Sequence, residues 1–93
     1  MEIKPGDFVV AIAGREKGKC FVVLSVENQY LYLCNGKNRK LSTPKKIKIK
    51  HTKPVGCSDE FICDLLIKGE ATNKAVHHAV SKIQSELKAE NYR

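Results

Sequence analysis

Apolar residues come in short runs over the first half of the chain and at helical spacing over the second, which predicts a β part followed by an α part. The run DFVVAIA, Asp7 to Ala13, is rich in β-branched and aromatic residues and follows a Pro5-Gly6 turn signal, so it predicts a strand. GREKGK, Gly14 to Lys19, breaks the apolar pattern with two glycines and four charges and predicts an exposed loop. CFVVLSV, Cys20 to Val26, predicts a second strand. After the polar turn Glu27-Asn28-Gln29, YLYLC places Leu31 and Leu33 on one face and Tyr30 and Tyr32 on the other. Asn35-Gly36 is the strongest hairpin signal, because a type I′ turn needs positive φ at both central positions. It predicts a tight turn into a fourth strand around Asn38 to Ser42. Pro44 ends that strand, and KIKIK, Lys46 to Lys50, alternates charge with Ile47 and Ile49 as an edge strand does.

Pro54-Val55-Gly56 marks a change of regime. Ser58 is placed to cap a helix, with Asp59 and Glu60 at its positive end and Gly69 to stop it. Phe61, Ile62, Leu65 and Leu66 would form its apolar stripe. Thr72 is placed to cap a second helix, in which Val76, Val80, Ile83 and Leu87 recur at helical spacing. Such a one-sided stripe must pack on something, either the first helix or the sheet. The expected architecture is mainly β with C-terminal helices: a small SH3-like barrel over residues 1–54 and a helical extension of two short helices over 55–93.

Charge divides the chain at the same place. Residues 1–54 carry twelve basic and four acidic side chains, whereas residues 55–93 carry five basic and six acidic. The tract 37–53 holds eight Lys or Arg and no acid. Edge-strand protection explains some of this, but not so long a run, and a polyanionic partner is expected. No apolar run is long enough to span a bilayer, and the N-terminus MEIKPGDF lacks the apolar stretch of a signal peptide. Cys20, Cys34, Cys57 and Cys63 form no C-x-x-C pair, so reduced thiols in a cytoplasmic protein are expected.

The segment with most information is DFVVAIAGREKGKCFVVLSV. Gly14 and Gly18 allow sharp turns, while Arg15, Lys17 and Lys19 add charge suited to phosphates. Its strand–loop–strand pattern with G-x3-GK resembles the KOW motif of ribosomal and transcription-elongation proteins. The likeness continues through CNGKNRKL and PKKIKIKH, and over residues 5–52 it resembles the KOW-domain ribosomal family numbered fourteen in the eukaryotic and archaeal large subunit. Short bacterial KOW-domain RNA-binding proteins are similar as well. Cys20 and Phe21 follow the GK pair where elongation factors commonly have another glycine, which favours the ribosomal branch. The residues beyond 54 fit that family poorly.

The resemblance implies an SH3-like barrel whose loop and basic hairpin contact ribosomal RNA. Carried onto this chain, it puts Arg15, Lys17, Gly18 and Lys19 in the RNA-facing loop. Lys37, Arg39 and Lys40 would belong to the hairpin, and Lys45, Lys46, Lys48 and Lys50 to the tract after it. Tyr30 and Tyr32 are suited either to stacking on bases or to packing against a helix.

Other chemistry finds little footing. His77 and His78 are adjacent on a helix and point about 100° apart, so they do not chelate one ion together. Cys57 and Cys63 have no partner at ligand spacing. No G-x-S-x-G, P-loop or H-E-x-x-H pattern occurs, so neither catalysis, cofactor nor small-molecule substrate is expected. The reading that follows is a non-catalytic RNA-binding protein that docks on ribosomal RNA, with ribosomal proteins as further partners and no membrane contact. A protein-interaction module of the same fold, directed at a ribosomal protein or RNA polymerase, is the alternative. A DNA-binding regulator is weaker, since no helix concentrates basic charge.

Overall fold

The two longest apolar runs lack a polar face because both of their faces are covered. In the first strand, Phe8 joins a cluster beneath the helices and Val9 joins one inside the curl of the sheet. In the second, Cys20 and Val22 face the helices while Phe21 and Val23 face inward. Side chains alternate across a strand, so a sheet buried on both sides reads as continuous hydrophobicity.

The computed structural model describes residues 3–91, with side chains for all of these except 56–58 and 88–91. Five strands, β1 (Asp7–Ala11), β2 (Cys20–Glu27), β3 (Tyr30–Cys34), β4 (Lys45–Lys48) and β5 (Thr52–Ser58), precede helices α1 (Glu60–Lys68) and α2 (Asn73–Asn91). The strands pair antiparallel in the order β4-β3-β2-β1-β5. The sheet curls into a small SH3-like barrel, and the two helices follow it. A register shift between Val23 and Ser25 and another between Asp7 and Val9 mark where the ladder departs from regular pairing, as bulges do in strongly curved sheets. The inner cluster is Val9, Ala11, Phe21, Val23, Leu31 and Leu33, closed by Ile47 and Ile49.

The outer face of the sheet receives the helices. Ile62 of α1 and Val76, Ala79, Val80 and Ile83 of α2 pack with Phe8, Val22 and Cys34 in one cluster. The expected α2 stripe is therefore the buried one, and Thr72 caps it by accepting from the Ala75 N–H at 3.1 Å. Gly69 closes α1 in the left-handed region at φ 71°.

Several local expectations give way. Asn35-Gly36 forms no type I′ turn, because among the described non-glycine residues only Asn28 has positive φ. The tight hairpin is the expected polar turn before β3, with Asn28-Gln29 between the paired residues Glu27 and Tyr30. No strand forms over 38–42; Asn35 organises a wider turn, its Oδ1 accepting from the N–H groups of Lys37 and Arg39 at 3.0 Å each. The edge strand is Lys45–Lys48, and Ile49–His51 tighten into a 3₁₀ turn. A fifth strand continues through Pro54 to Ser58, past the boundary expected at 54. Proline is tolerated there because β5 ends the sheet order and pairs with β1 alone.

In α1 the cap is Asp59 rather than Ser58, its Oδ1 accepting from Phe61 and Ile62. The inward stripe is thus Ile62, Leu65 and Leu66, and Phe61, off to one side of it, is 67% exposed. Nor is the second helix short: α2 runs for 19 residues.

Candidate functional site

The charged loop is built as a closed turn. Gly18 donates to the Ala11 carbonyl at 2.8 Å, and Lys19 N–H to the Glu16 carbonyl at 2.9 Å, returning the chain to pair with β1. Gly18 has φ 88°, a region that glycine enters without steric cost. Gln84 of α2 then holds the loop from the helix side. Its Oε1 accepts from the Cys20 N–H at 2.7 Å, and its Nε2 donates to the Gly18 carbonyl at 3.0 Å.

Against this loop stands β4, at the end of the sheet. Between them lies a cleft of about 470 Å³. Arg15 and Arg39 line it from the two turns, and Lys45, Lys46 and Lys48 line it from the strand. His51 and Tyr30 complete the wall. The Lys46 ammonium lies 4.5 Å from the centre of the Tyr30 ring and 5.8 Å from that of Tyr32. It is therefore held by the rings' negative faces.

Among the described residues a single acid lines this basic surface. Glu16 is 8% exposed, with one carboxylate oxygen 3.3 Å from Arg39 Nη2 and the other 3.4 Å from Lys19 Nζ. The Lys19 contact is an ion pair without hydrogen-bond alignment, and Arg39 Nε is buried without an acceptor among the described residues. One buried carboxylate thus positions two cations and offsets part of their charge.

The cleft brings together Arg15, Arg39, Lys45, Lys46 and Lys48 from the expected set. Lys19 and Lys37 line a separate groove at α2, and Lys17, Gly18, Lys40 and Lys50 line neither. Glu16 and His51 belong to the site without having been singled out for it, and Tyr30, suited on sequence to base stacking or helix packing, stands in its wall. The signal for Glu16 was present: it is the one acid in the GREKGK loop.

The cysteines are packing residues as far as they are described. Burial pushes the Cys34 thiol up to about 12, and Cys63 is a free, partly buried thiol. Cys57 lies outside the described side chains. Among the described residues no group of three His, Cys, Asp or Glu stands close enough to hold a metal. No helix among them is long and apolar enough to cross a membrane.

The chain matches no protein-family model and no curated protein sequence.

Proposed function

We propose that this is a non-catalytic RNA-binding protein of the cytoplasm that docks on structured ribosomal RNA through the cleft between the 14–19 loop and β4. The observation that carries the reading is the convergence of Arg15, Arg39, Lys45, Lys46 and Lys48 on one concave surface whose only acid, among the described residues, is already paired. Two arginines and three lysines in a groove suit a phosphate backbone. Arginine offers bidentate geometry, and lysine offers mobile point charge. Contact with phosphate is favoured over base stacking, since the Lys46 ammonium already occupies the space over the Tyr30 ring. The strand–loop–strand pattern and the basic tract resemble KOW domains of the ribosomal branch, and that likeness supplies the ribosome as the address and translation as the process.

Filter binding to purified large-subunit ribosomal RNA across a salt series tests the mechanism. Four to six neutralised phosphates predict a slope of log K against log salt of roughly −3 to −5, at ~0.7–0.9 per contact. A slope near zero overturns it. Sedimentation of the protein on sucrose gradients at low and high salt, with the crosslinked RNA identified, tests the address.

One observation favours a second reading. Phe61 stands exposed at the mouth of a mostly apolar cleft of about 600 Å³ between α1 and α2, floored by Ile62, Ala75 and Ala79. A protein partner such as a ribosomal protein or RNA polymerase would bury it. Co-purification that survives nuclease and is lost in Phe61→Ser would support that reading.

A further inference from the structure

A second groove, of about 520 Å³, is linked to the basic cleft through ion pairs. Lys19 lies on its rim and is paired to Glu16, which lines the first cleft; Arg39, next to the rim residue Asn38, is paired to the same carboxylate. One carboxylate therefore joins a cation of each concavity, Arg39 of the cleft and Lys19 of the groove. Three elements build the second: the head of β2 with Lys19, the 35–39 turn with Lys37, and α2 with His77, Ser81, Gln84 and Ser85.

Its chemistry is that of a polyanion site. Residues 55–93 are net acidic, yet no carboxylate lines this groove among the described residues. What α2 presents there is an imidazole, two hydroxyls and an amide. The amide is committed to the Gly18 and Cys20 backbone, so it holds the wall in place. His77 and Ser81 are exposed, their Nε2 and Oγ 3.5 Å apart, and Ser85 follows one turn on. Hydroxyls and imidazoles beside lysines are donors that position a ribose–phosphate chain.

We propose that the two grooves form one track, in which RNA held in the cleft continues past the Arg39–Glu16–Lys19 ion pairs and meets Lys19, Lys37, His77, Ser81 and Ser85, so that α2 is part of the RNA interface. This inference rests on the RNA reading above. It assigns the face of α2 away from its buried stripe, in the half of the chain that its charge sets apart from RNA.

The test is filter binding of large-subunit ribosomal RNA at ~0.1 M salt to four variants, each checked for an unchanged thermal midpoint. Ser81→Glu with Ser85→Glu should weaken binding about tenfold and lower the salt slope by about 1 to 2, the scale expected for lost phosphate contacts. Lys82→Glu makes the same change in net charge on the same helix but outside the groove, and should weaken binding less than about threefold because salt screens it. Ser81→Lys with Ser85→Lys should tighten binding, a readout that stands even if the acidic pair perturbs the helix. Lys45→Glu with Lys46→Glu reports on the first cleft. Equal effects of the Ser81/Ser85 acidic pair and Lys82→Glu, with no gain from the lysine pair, overturn the track while leaving the RNA reading intact. Undiminished binding in Lys45→Glu/Lys46→Glu overturns the RNA reading itself.

Discussion

Two basic regions that look alike along the chain are held in different ways. The 14–19 loop and the 35–41 turn are tied to α2, the first through Gln84 and the second through Asn73, whose Oδ1 accepts from the Leu41 N–H at 2.8 Å. Within that tied region Glu16 engages two of the cations. Strand β4 is the opposite case. It pairs with β3 alone, ends the sheet order, and carries Lys45, Lys46 and Lys48 with no acid of its own. Lysine density along a sequence therefore overstates the charge ready for a phosphate. What decides is whether a counter-charge is built in beside it, and here the tied region has one and the edge strand does not.

Substitutions should separate the two regions by stability before they separate them by binding. The largest effect is expected at Gly36, which has φ 77° and whose added Cβ would run into the Asn73 carbonyl and the His77 N–H of α2. Left-handed strain and overpacking together predict a loss of about 2–4 kcal/mol for Gly36→Ala in urea unfolding. Next is Gln84→Ala, which removes both tethers to the loop; about 1–2 kcal/mol should be lost. Cys34, beneath the same interface, serves as a reporter. Its buried, protonated thiol should resist alkylation at neutral pH in the native protein and react faster in Gln84→Ala.

Glu16→Gln should cost less, about 1 kcal/mol, since Arg39 and Lys19 are each at least a third exposed and solvent already screens the pairs. Its RNA affinity should rise by a few-fold even so, because two cations are released toward the ligand. Affinity unchanged or reduced would mean that Glu16 matters for positioning Arg39 rather than for masking charge. Smallest in stability is Lys45→Glu with Lys46→Glu. The pair sits on the edge strand and should stay within about 0.5 kcal/mol of the parent, apart from a small loss over the Tyr30 ring. Its cost belongs in RNA binding.

The features that sequence made legible are those set by local pattern. Strands β1 and β2 followed from β-branched runs, β3 from the alternation of Leu31 and Leu33 with Tyr30 and Tyr32, α2 from the spacing of Val76, Val80 and Ile83, and the end of α1 from Gly69. The misses arose where a tertiary neighbour decided. Asn35-Gly36 looked like a two-residue hairpin, but α2 lies against Gly36 and the Asn35 side chain folds back on the turn, so the chain takes a wider path. Strand β5 was hidden by Pro54, which is tolerated only because its edge of the sheet pairs on one side. Phe61 seemed a core residue until the Asp59 cap set the phase of the helix and left it outside. For the cleft, the charged residues were readable and their grouping was not. Nothing in the spacing of Arg15, Arg39 and Lys46 says that they meet, while Lys17 and Lys40 do not line the cleft.

The most direct test of the central claim is an amide NMR titration of the protein with a large-subunit ribosomal RNA fragment at low salt. Shift changes and broadening should gather on residues 13–16, 39, 45–48 and 51, around the cleft lined by Arg15, Arg39 and Lys46. Perturbation confined to Phe61, Ala75 and Ala79, with the β4 lysines silent, would contradict it and favour a protein-docking surface between the helices.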